Sequence, residues 1–130
     1  MSQITVITDD RIGLIAEISQ QLAEAEVNIA GVEARQVAAK ACVRLSVDKQ
    51  DAALACLQSA GIQAIAEDVI LLRMQDQPGA LAHISRQLAE AGIDIRTLSM
   101  VHRDEGENIV ALACSDGQRA RQLLDDRILF

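Results

Sequence analysis

Two short acidic segments carry the residue types that bind a small molecule bearing both signs of charge: Asp9-Asp10-Arg11-Ile12-Gly13-Leu14 and Asp76-Gln77-Pro78-Gly79-Ala80-Leu81. In each, an acid stands three residues before a glycine that opens a helix, and glycine lets a ligand approach the backbone closely. The unpaired amides of a first helical turn and its positive dipole end favour a carboxylate. The side chains of Asp10 and Asp76 favour an ammonium group, so a zwitterionic amino acid meets both demands. The following strand is expected to start beside the loop with Asn28 in one copy and Asp94 in the other, and either side chain could hold the amine. Each residue alone is as well explained by helix capping or a strand start. Recurrence of the whole set at a constant spacing is what points to a site.

The elements that must position these residues repeat as well. Residues 13–29 return at 79–95, with Gly, Ala, Ile, Ser, Gln, Leu, Ala, Glu, Ala and Ile at matching places, so the chain is one supersecondary unit made twice. Each half is close to the size at which a single core becomes marginal, and the expected domains are residues 1–68 and 69–130. In the first, residues 3–8 read as a strand and a helix follows from Gly13, with Leu14, Ile15, Ile18, Leu22 and Ala25 forming its apolar stripe. Two strands, 27–37 and 41–47, come next. Asp48 is placed to cap a second helix, and residues 62–69 return as a strand. The second copy repeats this with strands at 70–74, 93–101 and 108–114, helices at 80–91 and 116–125, a hairpin tip at 104–107, and only 127–130 left for the closing strand. A strand-helix-strand unit made twice, with right-handed crossovers, gives an α+β fold of two ferredoxin-like βαββαβ units, each an antiparallel sheet with its helices on one face.

Composition removes several function classes. The formal charge of −7 repels phosphate backbones, and with Phe130 the only aromatic there is no platform for stacking bases; nucleic acid is not an expected partner. No apolar run reaches the roughly 18 residues that span a bilayer, and the N-terminus shows no basic segment followed by an apolar one. A soluble, cytoplasmic protein without membrane attachment is expected. Cys42, Cys56 and Cys114 fall singly in apolar stretches, which suits buried free thiols rather than a disulfide framework.

The loops and strand starts resemble those of the ACT domain family, small regulatory modules that bind amino acids and control metabolic enzymes. The resemblance rests on Asp76-Gln77-Pro78-Gly79-Ala80-Leu81, a close match to the family's acidic Pro-Gly loop, and on Val27-Asn28-Ile29 and Ile93-Asp94-Ile95. It covers nearly the whole chain. It implies domains paired edge to edge into a longer sheet, with amino acids held at the seam by one domain's loop and its neighbour's strand start. The ligand positions carried over are Asp10, Arg11, Ile12, Gly13, Leu14, Asn28 and Ile29, with Asp76, Gln77, Pro78, Gly79, Ala80, Leu81, Asp94 and Ile95. Two departures stand out: Ile12 replaces the usual proline, and Asp94 puts a negative charge where asparagine is frequent.

A non-catalytic sensor of an amino acid, built as a homodimer, is the leading expectation. The alternative is a regulatory subunit that docks on a metabolic enzyme, motivated by the two-sided apolar character of Val110, Leu112 and Cys114. A small enzyme is the least favoured. The sequence shows no nucleophile with a paired base, no metal cluster and no phosphate-cradling glycine loop, so no catalytic residue, cofactor or metal ligand is assigned. His83 and His102 read as solvated side chains. Arg11, Arg35, Arg44, Arg73, Arg96 and Arg103 could each anchor a carboxylate, and sequence alone ranks none above the others.

Overall fold

The computed structural model describes residues 1–104 and 106–130; Glu105, at the expected hairpin tip, lies outside the described residues. The chain forms two compact units, Met1–Asp68 and Val69–Phe130. The first runs β1 (Ser2–Asp9), α1 (Leu14–Glu24), β2 (Ile29–Val37), β3 (Lys40–Val47), α2 (Gln50–Ser59) and β4 (Ala64–Ile65). The second runs β5 (Ile70–Gln75), α3 (Ala80–Glu90), β6 (Ile95–Asp104), β7 (Glu107–Cys114) and α4 (Gly117–Leu123), then a 3₁₀ turn at Asp125–Arg127. Both are ferredoxin-like units.

In the first unit the sheet order is β2-β3-β1-β4, with β1 antiparallel to β3 and β3 antiparallel to β2. It follows that β1 and β2 are parallel, as a right-handed crossover through α1 requires. Ile4, Val6, Val43, Leu45 and Val47 fill the inner face against Leu14, Ile18 and Leu22 of α1 and Ala53 and Leu57 of α2. The α1 stripe is narrower than its periodicity suggests. Leu14, Ile18 and Leu22 are buried, whereas Ile15 is 43% exposed, because four-residue steps keep one line of side chains over a flat sheet while a neighbour one residue on rotates off it.

The second sheet has order β5-β7-β6, and Val110, Leu112, Ile70 and Leu72 pack against Ile84, Leu88, Ala120 and Leu124. Val110 and Leu112 are thus core residues rather than a docking face. Leu71, Ala111 and Ala113, in the intervening positions, are buried too.

Four sequence expectations need correction. Asp48 does not cap α2, whose N-cap is Lys49; its Oδ1 instead accepts the backbone amide of Asn28 at 2.9 Å. Residues 62–69 give only the two-residue β4, since the chain then leaves the ladder and the Glu67 carbonyl accepts Thr5 Oγ1 at 2.7 Å. The closing strand of the second unit reduces to an isolated antiparallel bridge between Leu72 and Ile128, supported by Leu129 N on the Leu71 carbonyl at 2.7 Å. The last helix ends at Leu123, short of its expected end at 125. Asp116 does cap it, accepting Arg119 N at 3.1 Å.

The two β-hairpins differ by one residue. Both edge strands carry a bulge at their start, between Ile29 and Gly31 and between Ile95 and Thr97. Only β6 has a second irregularity, between Met100 and His102. This extra residue puts Arg103 opposite Asn108, where the first copy sets Gln36 opposite Ala41.

Candidate ligand-binding loops

Each loop leaves its first strand and enters its helix through a glycine in left-handed geometry, Gly13 at φ 85° and Gly79 at φ 87°. A Cβ at either position would meet no atom within 4 Å, so the space above both is open and it is the backbone that demands glycine. Both glycines are exposed. Behind them the first-turn amides of Ile15 and Ala16, and of Leu81 and Ala82, have no hydrogen-bond partner among the described residues. That is the ordinary state of a helix N-terminus and gives each loop a donor pair for an anion.

The loop backbones are tied alike to the neighbouring hairpin: Asp10 N donates to the Ala39 carbonyl at 3.0 Å, and Asp76 N to that of Gly106 at 2.9 Å. Their side chains are not alike. Lys40 Nζ sits 2.6 Å from Asp9 Oδ1 and holds that carboxyl below the usual carboxylate range by its hydrogen bond and charge. The Asp10 carboxylate, next in the chain, is exposed and has no partner among the described residues. It lines an open concavity of about 300 Å³ together with Arg11, Gly13, Ile15 and Ala16 and with Ala34, Arg35 and Gln36 of β2.

In the second copy Asp76 is occupied. Arg103 Nε and Nη2 donate to its two carboxylate oxygens at 3.1 and 3.0 Å, and Asn108 Nδ2 reaches Oδ1 at 3.3 Å. Hydrogen bonds from Arg103, then Asn108, hold the Asp76 carboxyl below the usual range, and the same bond pushes the Arg103 guanidinium up. The cleft beside this loop, about 530 Å³, opens elsewhere. It is lined by Gly79, His83, Arg73, Glu107, Asp126 and Arg127, and Asp76 is not part of its wall.

Other expected site residues are distributed unevenly. Arg11 pairs with Glu17 in the first turn of α1, and Ile12 is fully exposed. Leu14 is buried, and its amide donates to the Arg11 carbonyl at 3.4 Å. Gln77, Pro78 and Leu81 are exposed, while Ala80, Ile29 and Ile95 are half-buried. Asn28 and Asp94 do not lie beside the loops of their own copies. Because β2 runs parallel to β1, its start pairs with the far end of β3, with Ile29 opposite Val47 and Val37 opposite Lys40. At ~3.3 Å per residue the length of β2 separates Asn28 from the Asp10 loop.

The strand starts have their own supports. Asp48 Oδ1 accepts Asn28 N and Ser115 Oγ accepts Asp94 N, both at 2.9 Å, leaving the Asn28 and Asp94 side chains exposed and unpaired among the described residues. Sequence reasoning missed Asn108 and left Arg103 among several equivalent arginines. The one available signal was a polar residue starting an otherwise apolar strand. Cys42 is fully buried and burial pushes its thiol up to about 11, so it is an inert core group. Among the described residues no cluster of His, Cys, Asp or Glu is placed to hold a metal ion, and no helix is long and apolar enough to cross a membrane.

Among solved structures, a protein from Bacteroides thetaiotaomicron is similar over 98% of this chain and 90% of its own, at 20% identity and a TM-score of 0.50. The ligand-free regulatory subunit of aspartate kinase from Thermus thermophilus is 20% identical over 96% of this chain and 91% of its own, with a TM-score of 0.46. The acetolactate synthase small subunit from Thermotoga maritima is 7% identical over 99% and 89%, with a TM-score of 0.42. No curated protein sequence matches. The family model described as an ACT domain pair matches residues 1–129, and the chain therefore belongs to the ACT domain-pair family.

Proposed function

We propose that this protein is a non-catalytic regulatory module that binds an amino acid. The observation that carries this reading is the first loop, where the unpartnered Asp10 carboxylate lines the same concavity as the free amides at Ile15 and Ala16. An ammonium suits the first and a carboxylate the second, each as a charge-assisted hydrogen bond. The ligand site is completed at a seam between two chains of a homodimer. Within one unit the loop and the strand start lie at opposite ends of the sheet, and pairing two edge strands antiparallel reverses one of them. Such pairing of two chains brings Asn28 of one chain to the first loop of the other.

The free edges support that pairing. Among the described residues strands β2 and β6 each have one hydrogen-bonded neighbour, and each edge exposes apolar side chains: Val32 at 60% on β2, Leu98 at 38% and Met100 at 53% on β6. The matching helix positions, Ile15 and Leu81, are each 43% exposed. A long apolar edge left open is an association surface, and a homodimer closes it. Bound ligand ties two chains together and shifts the population of the paired state, a coupling of about 1 to 3 kcal/mol being typical of such switches. The test is a thermal-shift survey of all proteinogenic amino acids against the full chain, combined with sizing by light scattering. A ligand that raises the melting temperature and favours the dimer supports the reading; no shift with any of them counts decisively against it.

A further inference from the structure

The two loops place an acid in the same frame, yet only one of those acids is unspent, and the cause lies in β6. A carboxylate offers about four acceptor positions, and the chain itself fills three of them at Asp76 through Arg103 and Asn108. Asn108 is 3% exposed and so is fixed in place. Arg103 reaches the acid because the additional residue between Met100 and His102 sets it opposite Asn108, and a bulge of this kind re-aims the side chains that follow it. The first copy has no second irregularity in β2, and Gln36 and Ala41 occupy the corresponding register.

Resting on the amino-acid reading above, we infer that Arg103 is a built-in occupant of the second loop, a specificity-determining residue that confines recognition of a ligand's ammonium group to the Asp10 loop. An ammonium arriving at Asp76 has to displace a planar, two-pronged guanidinium that matches a carboxylate better than a point charge does. The Asp10 carboxylate has no such partner to displace among the described residues. The Asp10 loop binds amino acids up to about fivefold tighter than the Asp76 loop, so it fills ahead of the second loop.

The test is calorimetric titration of the full-length wild type, Asp10→Asn and Arg103→Gln with each proteinogenic amino acid. A tighter and a weaker site per chain are expected in the wild type, the weaker alone in Asp10→Asn, and two sites of like affinity in Arg103→Gln. The Arg103 side chain is 67% exposed, so its loss leaves the fold intact, which a thermal melt checks. Arg103→Lys, keeping the charge without the fork, is expected to fall between. Two equal sites in the wild type, or one site in Arg103→Gln with Asp10→Asn silent, overturns the role of Arg103 while the amino-acid reading stands. Absence of heat from every amino acid with all of these proteins sinks both.

Discussion

Asp10 and Asp76 each stand three residues before a left-handed glycine, each with its backbone amide bonded to the neighbouring hairpin, but Asp10 faces a concavity while Asp76 is held by Arg103 and Asn108. The local loop is therefore conserved between the two copies and its chemistry is not. Whether an acid is available to a ligand depends on residues far along the chain that the sheet brings beside it. In the first copy Lys40 is spent on Asp9, leaving Asp10 open. In the second, Gln75 and Glu107 hold the corresponding places and Glu107 turns to Arg73 at 3.0 Å.

The largest expected effect tests whether the two frames are as alike as the loops suggest. Leu22 and Leu88 are fully buried at matching helix positions in separate cores. Truncating either to alanine is expected to cost ~2–5 kcal/mol, with amide exchange accelerating mainly in the unit that carries the change. Equal loss of protection in both units would show that the cores are not energetically separate.

A smaller effect is expected at the glycines. Gly13→Ala and Gly79→Ala meet no steric obstacle but force an L residue into left-handed geometry, costing ~1–2 kcal/mol each. Denaturant melts should give the same penalty in both copies. Unequal penalties would mean that the two loop backbones are less alike than their dihedral angles.

The smallest effect is one of pH and separates the loops again. The Asp76 carboxyl is held below its ordinary value of 3.8, so its pairing adds stability above that pH and loses it as the pH falls from 3.8 through the folded value. Removing the guanidinium in Arg103→Gln is expected to lower stability slightly at neutral pH, the pair being exposed, with the difference from wild type fading in acid. Asp9 titrates in the same sense through Lys40, and that contribution should be untouched by the change. An Arg103→Gln deficit that grows as the pH falls would contradict the pairing.

Much of the architecture could be read from the residues because it is written twice. The repeated helix and the apolar strand runs locate the elements, and the glycine at each helix start fixes the loops. What escaped reading depends on direction and register. Asn28 lies at the far end of the sheet from Asp10 because the crossover returns β2 parallel to β1, a relation that local pattern does not display. Asp48 precedes a helix as a cap would, yet its carboxylate finds the Asn28 amide across the sheet. The Asp76–Arg103–Asn108 contact needs the irregularity after Met100, and a single additional residue in an edge strand without clean alternation leaves no periodic trace. Ile15 fits a helical period, but the flat sheet accepts only the line through Leu14, Ile18 and Leu22.

The most direct test of unequal loops is a crystal structure of the full chain grown with the amino acid that most raises its melting temperature. The expected result is a ligand whose ammonium lies within hydrogen-bonding distance of Asp10 and whose carboxylate meets the amides at Ile15 and Ala16, with Arg103 still on Asp76. Equal ligand density at both loops, with Arg103 swung away from Asp76, would contradict it.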